Sequence, residues 1–326
     1  MAPLTIVMYH YVRNLRRSRF PAIKGLSTER FKEQIGYFKR HYTIVSGADL
    51  IGAVASGQEL PPNALLLTFD DGYLDHYTEV FPILDREGIS GCFFPPARCV
   101  VEDVVLDVNK IHFVLASVPN TSELVQRVFG LLDEYGPRFR AEDKQDYWER
   151  CAMAKRFDSR EVVFIKRLLQ RELPEELRRL MIDALFRQYV SSDEASFARE
   201  LYMNEDQILC LHRHGMHLGS HGYAHVWLNR LGRIEQEQEI DTSLEFLRRI
   251  NGKNDGWMMC YPYGAYDESL LSVLRLRNCT VGLTTRVDLA DLSHDDPLTL
   301  PRLDTNDLPK TADAPPAQWT LQTCNR

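Results

Sequence analysis

The order of hydrophobic and polar residues divides the chain into three stretches. In the first and the third, short apolar runs bounded by turn-forming residues alternate with segments of helical periodicity. The run at residues 65–69 is almost wholly apolar and ends at two acids, Asp70 and Asp71, which is typical of a strand buried on both faces. The alternation closes with a short apolar run at residues 298–300. We therefore predict an α/β fold built on a parallel sheet or barrel.

The middle stretch shows mostly helical periodicity and resembles an insertion. We predict that residues 1–96 and 201–308 form the α/β domain, that residues 97–200 form a helical insertion, and that residues 309–326 form a C-terminal tail that is poorly ordered or peripheral. The many Arg and Glu residues of the insertion are explained by solvated helix faces with ion pairs. The alternative is that the insertion forms a lid or one wall of a site.

Composition restricts the classes of partner. The chain has 326 residues, of which 44% are hydrophobic, and its net charge of −7 gives no footprint for nucleic acid or an anionic membrane. Seven cysteines without a C-x-x-C pair favour a reducing compartment over a disulfide framework. The apolar run at the amino terminus is too short for a signal peptide. We expect a cytoplasmic protein without a membrane span, and the oligomeric state stays open.

Two groups of residues have the composition of a metal site. Neighbouring residues of a strand point to opposite sides, so Asp70 and Asp71 reach one pocket only if the chain is turning, as Gly72 permits. The alternative is a strand end with two solvated acids. His221 and His225 are four residues apart, and two imidazoles on one side of a turn combine with a carboxylate to give a three-ligand site with an open position.

Three motifs carry a family resemblance. T-F-D-D-G at residues 68–72, S-H-G-Y-A-H at residues 220–225 and Y-P-Y-G at residues 261–264 resemble, in this order, the successive motifs of the polysaccharide deacetylase family. This family is carbohydrate esterase family four, which has the chitooligosaccharide deacetylase homology domain. The resemblance implies a distorted (β/α) barrel, commonly of seven strands, with the site at the carboxyl ends of the strands.

The resemblance also implies roles for individual residues. Asp71, His221 and His225 correspond to the metal ligands, for a divalent cation that is most plausibly Zn²⁺. Asp70 corresponds to the general base that takes a proton from the attacking water. The backbone N–H of Tyr263, which follows Pro262, corresponds to an oxyanion donor.

Two positions depart from the family pattern. Cys260 stands where the third motif usually has an Arg that orients the catalytic Asp, and we expect Arg302 to be a candidate for that role. The general acid is usually a late His after a Leu, for which His294 is the nearest match. His10, at the end of the first predicted strand, is its competitor, and each of the two also has a purely structural explanation.

Several aromatic residues lie beside these motifs. Aromatic faces suit stacking on sugar rings, but aromatic residues at strand ends also serve packing. The residues in question are Tyr73, Tyr223, Trp227 and Tyr263.

The resemblance implies removal of an N-acyl group, chiefly acetyl, from an amino sugar. We expect the substrate to be an amino-sugar-containing saccharide, or a nucleotide-linked or lipid-linked precursor. The alternatives are a deformylase, an O-acyl esterase and a catalytically inactive carbohydrate-binding module. The last is conceivable because Cys260 replaces the Arg, although both Asp and both His are retained.

Overall fold

The computed structural model describes residues 3–154, 158–252 and 256–324. Contacts divide the chain into two compact units. The α/β unit consists of Met1–Asn14, Gly25–Asp103 and Arg199–Arg326, and the helical unit consists of Leu15–Lys24 and Val104–Ala198. The segment Leu15–Lys24 thus belongs to the helical unit, whereas its position in the sequence groups it with the first strands.

The first part of the α/β unit alternates strands and helices. Its elements are β1 (Thr5–Tyr9), β2 (Val12–Arg13), β3 (Leu26–Ser27), α1 (Thr28–His41), β4 (Thr43–Ile44), α2 (Gly47–Ser56), β5 (Ala64–Asp70), α3 (Phe81–Glu87), β6 (Cys92–Phe94) and α4 (Ala97–Val101). Local signals explain the helix starts: Ser46 caps α2 by accepting from the Asp49 N–H, and the Asp49 carboxylate accepts from the Ser46 N–H in return.

The helical unit has a core of its own. Helices of this region are α5 (Asp107–Ser117), α6 (Thr121–Tyr135), α7 (Lys144–Cys151), α8 (Arg160–Arg167), α9 (Glu175–Tyr189) and α10 (Glu194–Leu201). A buried Lys110 bonds Asp183 at 2.6 Å and Glu194 at 2.9 Å, so its charge is compensated inside the unit. Edge-to-face contacts of Phe113 with Phe20 and Phe197 fill the space beside it.

The remainder of the α/β unit continues the alternation. Its elements are α11 (Glu205–Arg213), β7 (His217–Leu218), α12 (Arg233–Asn251), β8 (Trp257–Cys260), α13 (Glu268–Leu276), β9 (Cys279–Leu283), β10 (Leu303–Asp304) and α14 (Gln318–Cys324). No helix among the described residues combines the length and the apolar character that a bilayer crossing requires.

The strands of the α/β unit pair in parallel. One sheet has the order β10-β1-β5-β6-β7, with β4 also paired to β5, and a second pairs β8 with β9. Single parallel bridges join Ser220 to Met259 and Leu283 to Leu300. All residues of β5 are buried because alternate side chains enter two different apolar clusters, for example Leu65 and Leu66. The prediction of an α/β fold with a buried parallel sheet is confirmed.

Two local expectations differ from the structure. In the apolar run predicted to close the sheet, Leu300 forms a parallel bridge with Leu283 of β9, as expected, but the residues before it form a 3-10 turn, Pro297–Thr299, because Asp296 accepts from the Leu298 N–H; β10 follows. The C-terminal segment is packed on the α/β unit, where Thr320 is fully buried and lies 2.7 Å from the hydroxyl of Tyr37.

We predict opposite effects for two Gly→Ala substitutions in the α/β unit. A Cβ at Gly282 lies 2.0 Å from the Leu298 carbonyl oxygen, so Gly282→Ala forces backbone apart and lowers the free energy of unfolding by about 1–3 kcal/mol. A Cβ at Gly52, in α2, meets nothing within 4 Å, so Gly52→Ala raises that free energy by about 0.5–1 kcal/mol. Urea denaturation measures both, and equal effects of the two substitutions would contradict the prediction.

Candidate active site

The site begins where β5 ends in two adjacent carboxylates. Asp70 is the last residue of the strand, while Asp71 (φ 71°) and Gly72 (φ 67°) adopt left-handed conformations. This turn lets both acids lie in the interior, with 1% and 2% of their surface exposed. A Cβ at Gly72 would lie 2.7 Å from Cβ of Pro95, so the position requires glycine for space as well as for conformation.

Asp70 is held by Arg302, which is itself buried. The guanidinium donates from Nη1 to Oδ1 at 2.9 Å and from Nη2 to Oδ2 at 2.8 Å, and its Nε donates to the Thr284 carbonyl at 2.8 Å. Burial raises the pKa of Asp70, but Arg302, with smaller help from His221 and His10, lowers it from 3.8 to about 2. Arg302 therefore contacts Asp70, as we expected for a residue that replaces the Arg missing at position 260.

Asp71 faces two imidazoles. Its Oδ1 lies 3.4 Å from Nε2 of His221 and 3.3 Å from Nε2 of His225, while Oδ2 accepts from the Tyr73 hydroxyl at 2.5 Å. Burial opposes ionisation, yet the two imidazoles hold the pKa of Asp71 well below its usual value. The structure thus brings together the three side chains that were predicted as metal ligands.

The orientation of His221 leaves its Nε2 directed at Asp71. Its Nδ1 lies 2.7 Å from the Cys260 carbonyl oxygen, which can only accept, so Nδ1 carries the proton. Burial lowers the pKa of both imidazoles; for His221 the neighbouring Cys260 and Asp71 outweigh this effect and raise its pKa. A carbonyl that fixes the tautomer of a histidine is a common outer contact of metal ligands.

The donor set fits a divalent cation. Asp71 Oδ1 is buried and lacks a hydrogen-bond partner within the described part of the chain, although two imidazole nitrogens lie close to it. One ligand atom from each of Asp71, His221 and His225 lies within 4.8 Å of the others. A cation between them would satisfy the orphaned oxygen, and imidazole with carboxylate is a typical zinc ligand set.

Cys260 forms a second, less suitable group with Asp70 and His221. Their ligand atoms also lie within 4.8 Å of one another. Both oxygens of Asp70 already accept from Arg302, however, so this carboxylate is committed elsewhere. Burial raises the pKa of the Cys260 thiol, which disfavours the thiolate that a metal prefers.

The two candidate general acids lie in different surroundings. Nε2 of His10 lies 3.9 Å from Asp70 Oδ2, and its side chain is 40% exposed. The backbone of His10 is held by a residue that sequence reasoning missed, since the buried His76 donates from Nε2 to the His10 carbonyl at 2.8 Å. His294 is 83% exposed and contacts Asp291 at 2.9 Å, so the structure does not bring it to Asp70.

The third motif lies beside His225. Pro262 begins a 3-10 turn after β8, and Tyr263 has a left-handed backbone with φ 59°. The Tyr263 ring stacks on Trp227 at 4.4 Å and contacts the His225 ring edge-on at 4.8 Å. Tyr73, by contrast, is fully buried and its ring stacks on Tyr11.

We predict that Arg302→Met lowers the free energy of unfolding by about 3–5 kcal/mol, because it leaves the Asp70 carboxylate buried without its counter-charge. Combining it with Asp70→Asn removes that charge and restores part of the stability. Urea denaturation of the wild type, both single variants and the double variant measures the coupling. Simple addition of the two single effects would contradict the ion pair.

A family model and curated relatives both relate this chain to polysaccharide deacetylases. The family model described as polysaccharide deacetylase matches residues 185–282, which include His221, His225 and Tyr263 but leave out Asp70 and Asp71. Curated relatives are the poly-beta-1,6-N-acetyl-D-glucosamine N-deacetylases of Escherichia coli strain K12 and Escherichia coli O157:H7, each 42% identical over 67 residues. That match spans 20% of this chain and 10% of each relative.

Solved structures share the fold across nearly the whole chain. The Streptococcus pyogenes deacetylase PplD, in complex with acetate, aligns over 93% of both chains with a TM-score of 0.58 and 14% identity. IcaB from Ammonifex degensii aligns over 99% of this chain and 98% of its own, with a TM-score of 0.56 and 17% identity. The family match, the curated relatives and the shared fold together confirm that this chain resembles the polysaccharide deacetylases.

Proposed function

We propose that the chain is a metal-dependent hydrolase that removes the N-acetyl group of an amino sugar within a glycan. The observation that carries the proposal is that two adjacent buried acids, Asp70 and Asp71, contact different partners. Asp71 Oδ1 lies close to two imidazoles, whereas both oxygens of Asp70 accept from the Arg302 guanidinium and Oδ2 lies 3.9 Å from His10. The curated relatives, named as N-deacetylases of a β-1,6-linked N-acetylglucosamine polymer, support the reaction and its substrate class.

Asp71, His221 and His225 would hold the cation, for which we favour Zn²⁺. When bound, a divalent cation supplies Lewis-acid activation of water and of the acyl carbonyl. The Asp71 side chain is kept anionic by its neighbours, and Tyr73 fixes its second oxygen, so the ligand geometry is set in advance. This fixed geometry is the contribution of the protein to cation binding.

Asp70 and His10 would move the protons. Asp70 takes a proton from the attacking water, and Arg302 holds this carboxylate in orientation while keeping it ionised. His10 donates a proton to the amide nitrogen as the C–N bond breaks, so that acetate and a free amine leave. Its partly exposed ring close to Asp70 supports this role over the strongly exposed His294. The backbone N–H of Tyr263, after Pro262, would donate to the developing oxyanion.

The position of Arg302 supports an enzyme over an inactive binding module. Cys260 cannot orient Asp70 as the Arg of the family motif does. Arg302, directly before β10, takes this role and supplies the counter-charge of Asp70. We propose an amino-sugar polymer as the substrate. A nucleotide-linked or lipid-linked precursor, and the cytoplasmic location, stay predictions from the sequence.

We also propose that the parallel strands close into a distorted seven-stranded barrel. The bridges Ser220–Met259 and Leu283–Leu300 support this, because they connect the ends of the larger sheet to the β8–β9 pair. Closure would place the carboxyl ends of β5, β7 and β8 around one pocket.

We predict that chelator treatment abolishes amine release from a β-1,6-linked N-acetylglucosamine oligomer and that Zn²⁺ restores it. Asp71→Ala and His225→Ala should lose both bound zinc and activity. Asp70→Asn should keep zinc and lose about 10²–10⁴-fold in kcat, because it removes only the proton acceptor. Elemental analysis, amine detection and mass measurement of the released acid test this. Release of formate, or release from O-acyl sugars alone, would contradict N-deacetylation. Equal zinc content in the wild type, Asp71→Ala and His225→Ala would contradict the ligand assignment.

We predict that His10→Ala lowers kcat at least 10²-fold with zinc content unchanged, while His294→Ala stays within twofold of the wild type. The reason is that proton donation needs a side chain within reach of the leaving nitrogen. A larger loss in the His294 variant would reverse the assignment.

A further inference from the structure

The segment that carries both histidines has a strained backbone. We call residues 220–225 the ligand loop. Gly222 has φ 72° and His225 has φ 54°, and a non-glycine residue in the left-handed region costs about 1–3 kcal/mol. Such a conformation persists only if neighbouring groups hold it, so the contacts of the loop decide where the two imidazoles lie.

One helix supplies a carboxylate to the centre of this loop. Oε2 of Glu239, in α12, accepts from the N–H of Tyr223 and from the N–H of Ala224, both at 3.0 Å. Bonds from neutral donors to an ionised acceptor are stronger than bonds between neutral groups. The two N–H groups lie between His221 and His225, so Glu239 fixes the backbone that connects the ligands.

A second residue of α12 holds the beginning of the loop. Ser243 follows Glu239 by four residues and therefore lies on the same helix face. Its hydroxyl oxygen lies 2.6 Å from Oγ of Ser220, and that Oγ accepts from the Gly222 N–H at 3.1 Å. Three consecutive N–H groups of the loop are thus satisfied by α12, two directly and one through Ser220.

Glu239 differs from other acidic residues of α12 because its side chain points towards the ligand loop. Glu235 accepts from the Gly232 N–H at the start of the helix, and Glu237 pairs with Arg233. Glu245 is exposed. Glu239 is partly buried and lies 3.5 Å from the position of a Cβ at Gly222, so its carboxylate lies against the loop backbone. The sequence gives no signal for this, since Glu239 is one acid in a polar helix.

We propose that Glu239 and Ser243 are positioning residues that hold His221 and His225 in ligand geometry before a cation binds. This inference rests on the proposed function, because it takes these two histidines as metal ligands. The inference extends the proposed function, because it assigns a role in metal binding to α12. The contacts of both residues described above are with the ligand loop, so we assign them an action through that loop.

The test measures zinc affinity of purified full-length protein by competition with a chromophoric chelator, beside thermal unfolding of the metal-free form. Glu239→Ala should weaken zinc binding about 10–100-fold, as is usual for outer contacts of metal ligands. Glu239→Gln should lose less, because an amide oxygen can still accept both N–H groups. Ser243→Ala should weaken binding severalfold, and Glu245→Gln, the matched exposed control, should equal the wild type.

The outcomes distinguish failure of the positioning role from failure of the ligand assignment. Unchanged zinc affinity in a folded Glu239→Ala protein, even with a lowered unfolding temperature, overturns the inference and leaves the proposed function intact. If Glu239→Ala does not fold, the comparison of Glu239→Gln with Glu245→Gln decides: weaker binding in the first supports the positioning role, and equal binding overturns it. Failure of the wild type to bind zinc overturns the ligand assignment itself.

Discussion

Two carboxylates must remain ionised in the interior at the end of β5, although burial favours their neutral forms. An uncompensated charge in such a place is among the most destabilising features that a fold can contain. Asp70 is compensated by a bidentate guanidinium, and Asp71 by imidazoles and a phenol hydroxyl. Apart from Tyr73, the partners come from segments far from these acids in sequence, so both acids are compensated only where the fold brings those segments together.

This requirement explains the arrangement of the surrounding elements. The turn at Asp71 and Gly72 lets one strand deliver both acids, and its tight contact with Pro95 fixes the turn against the end of β6. The ligand loop follows β7 and is held from outside by α12. Residues outside the proposed ligand set and proton-transfer pair, such as Glu239 and His76, therefore hold the backbone of the residues proposed for those roles.

Much of the architecture follows from the sequence. The apolar run and its turn residues predicted the strand that ends at Asp70. The family resemblance grouped Asp71 with His221 and His225, which the structure brings together. The contacts of Glu239 and His76 could not be predicted, because a single acid or histidine in a polar helix has no local signature of its direction. The late apolar run was predicted only in part: Leu300 bridges Leu283, but Asp296 and Pro297 start a turn over the residues before it.

The counter-charge of Asp70 follows it at a long distance in the sequence. Arg302 lies 232 positions after Asp70, and it is the guanidinium that keeps this buried acid ionised. During synthesis on the ribosome, which adds residues from the amino terminus, the three proposed metal ligands are all present well before Arg302 emerges. A nascent chain that has not yet reached Arg302 therefore contains all three proposed ligands but lacks the counter-charge of Asp70, so the proposed site is complete only after residue 302 has been added.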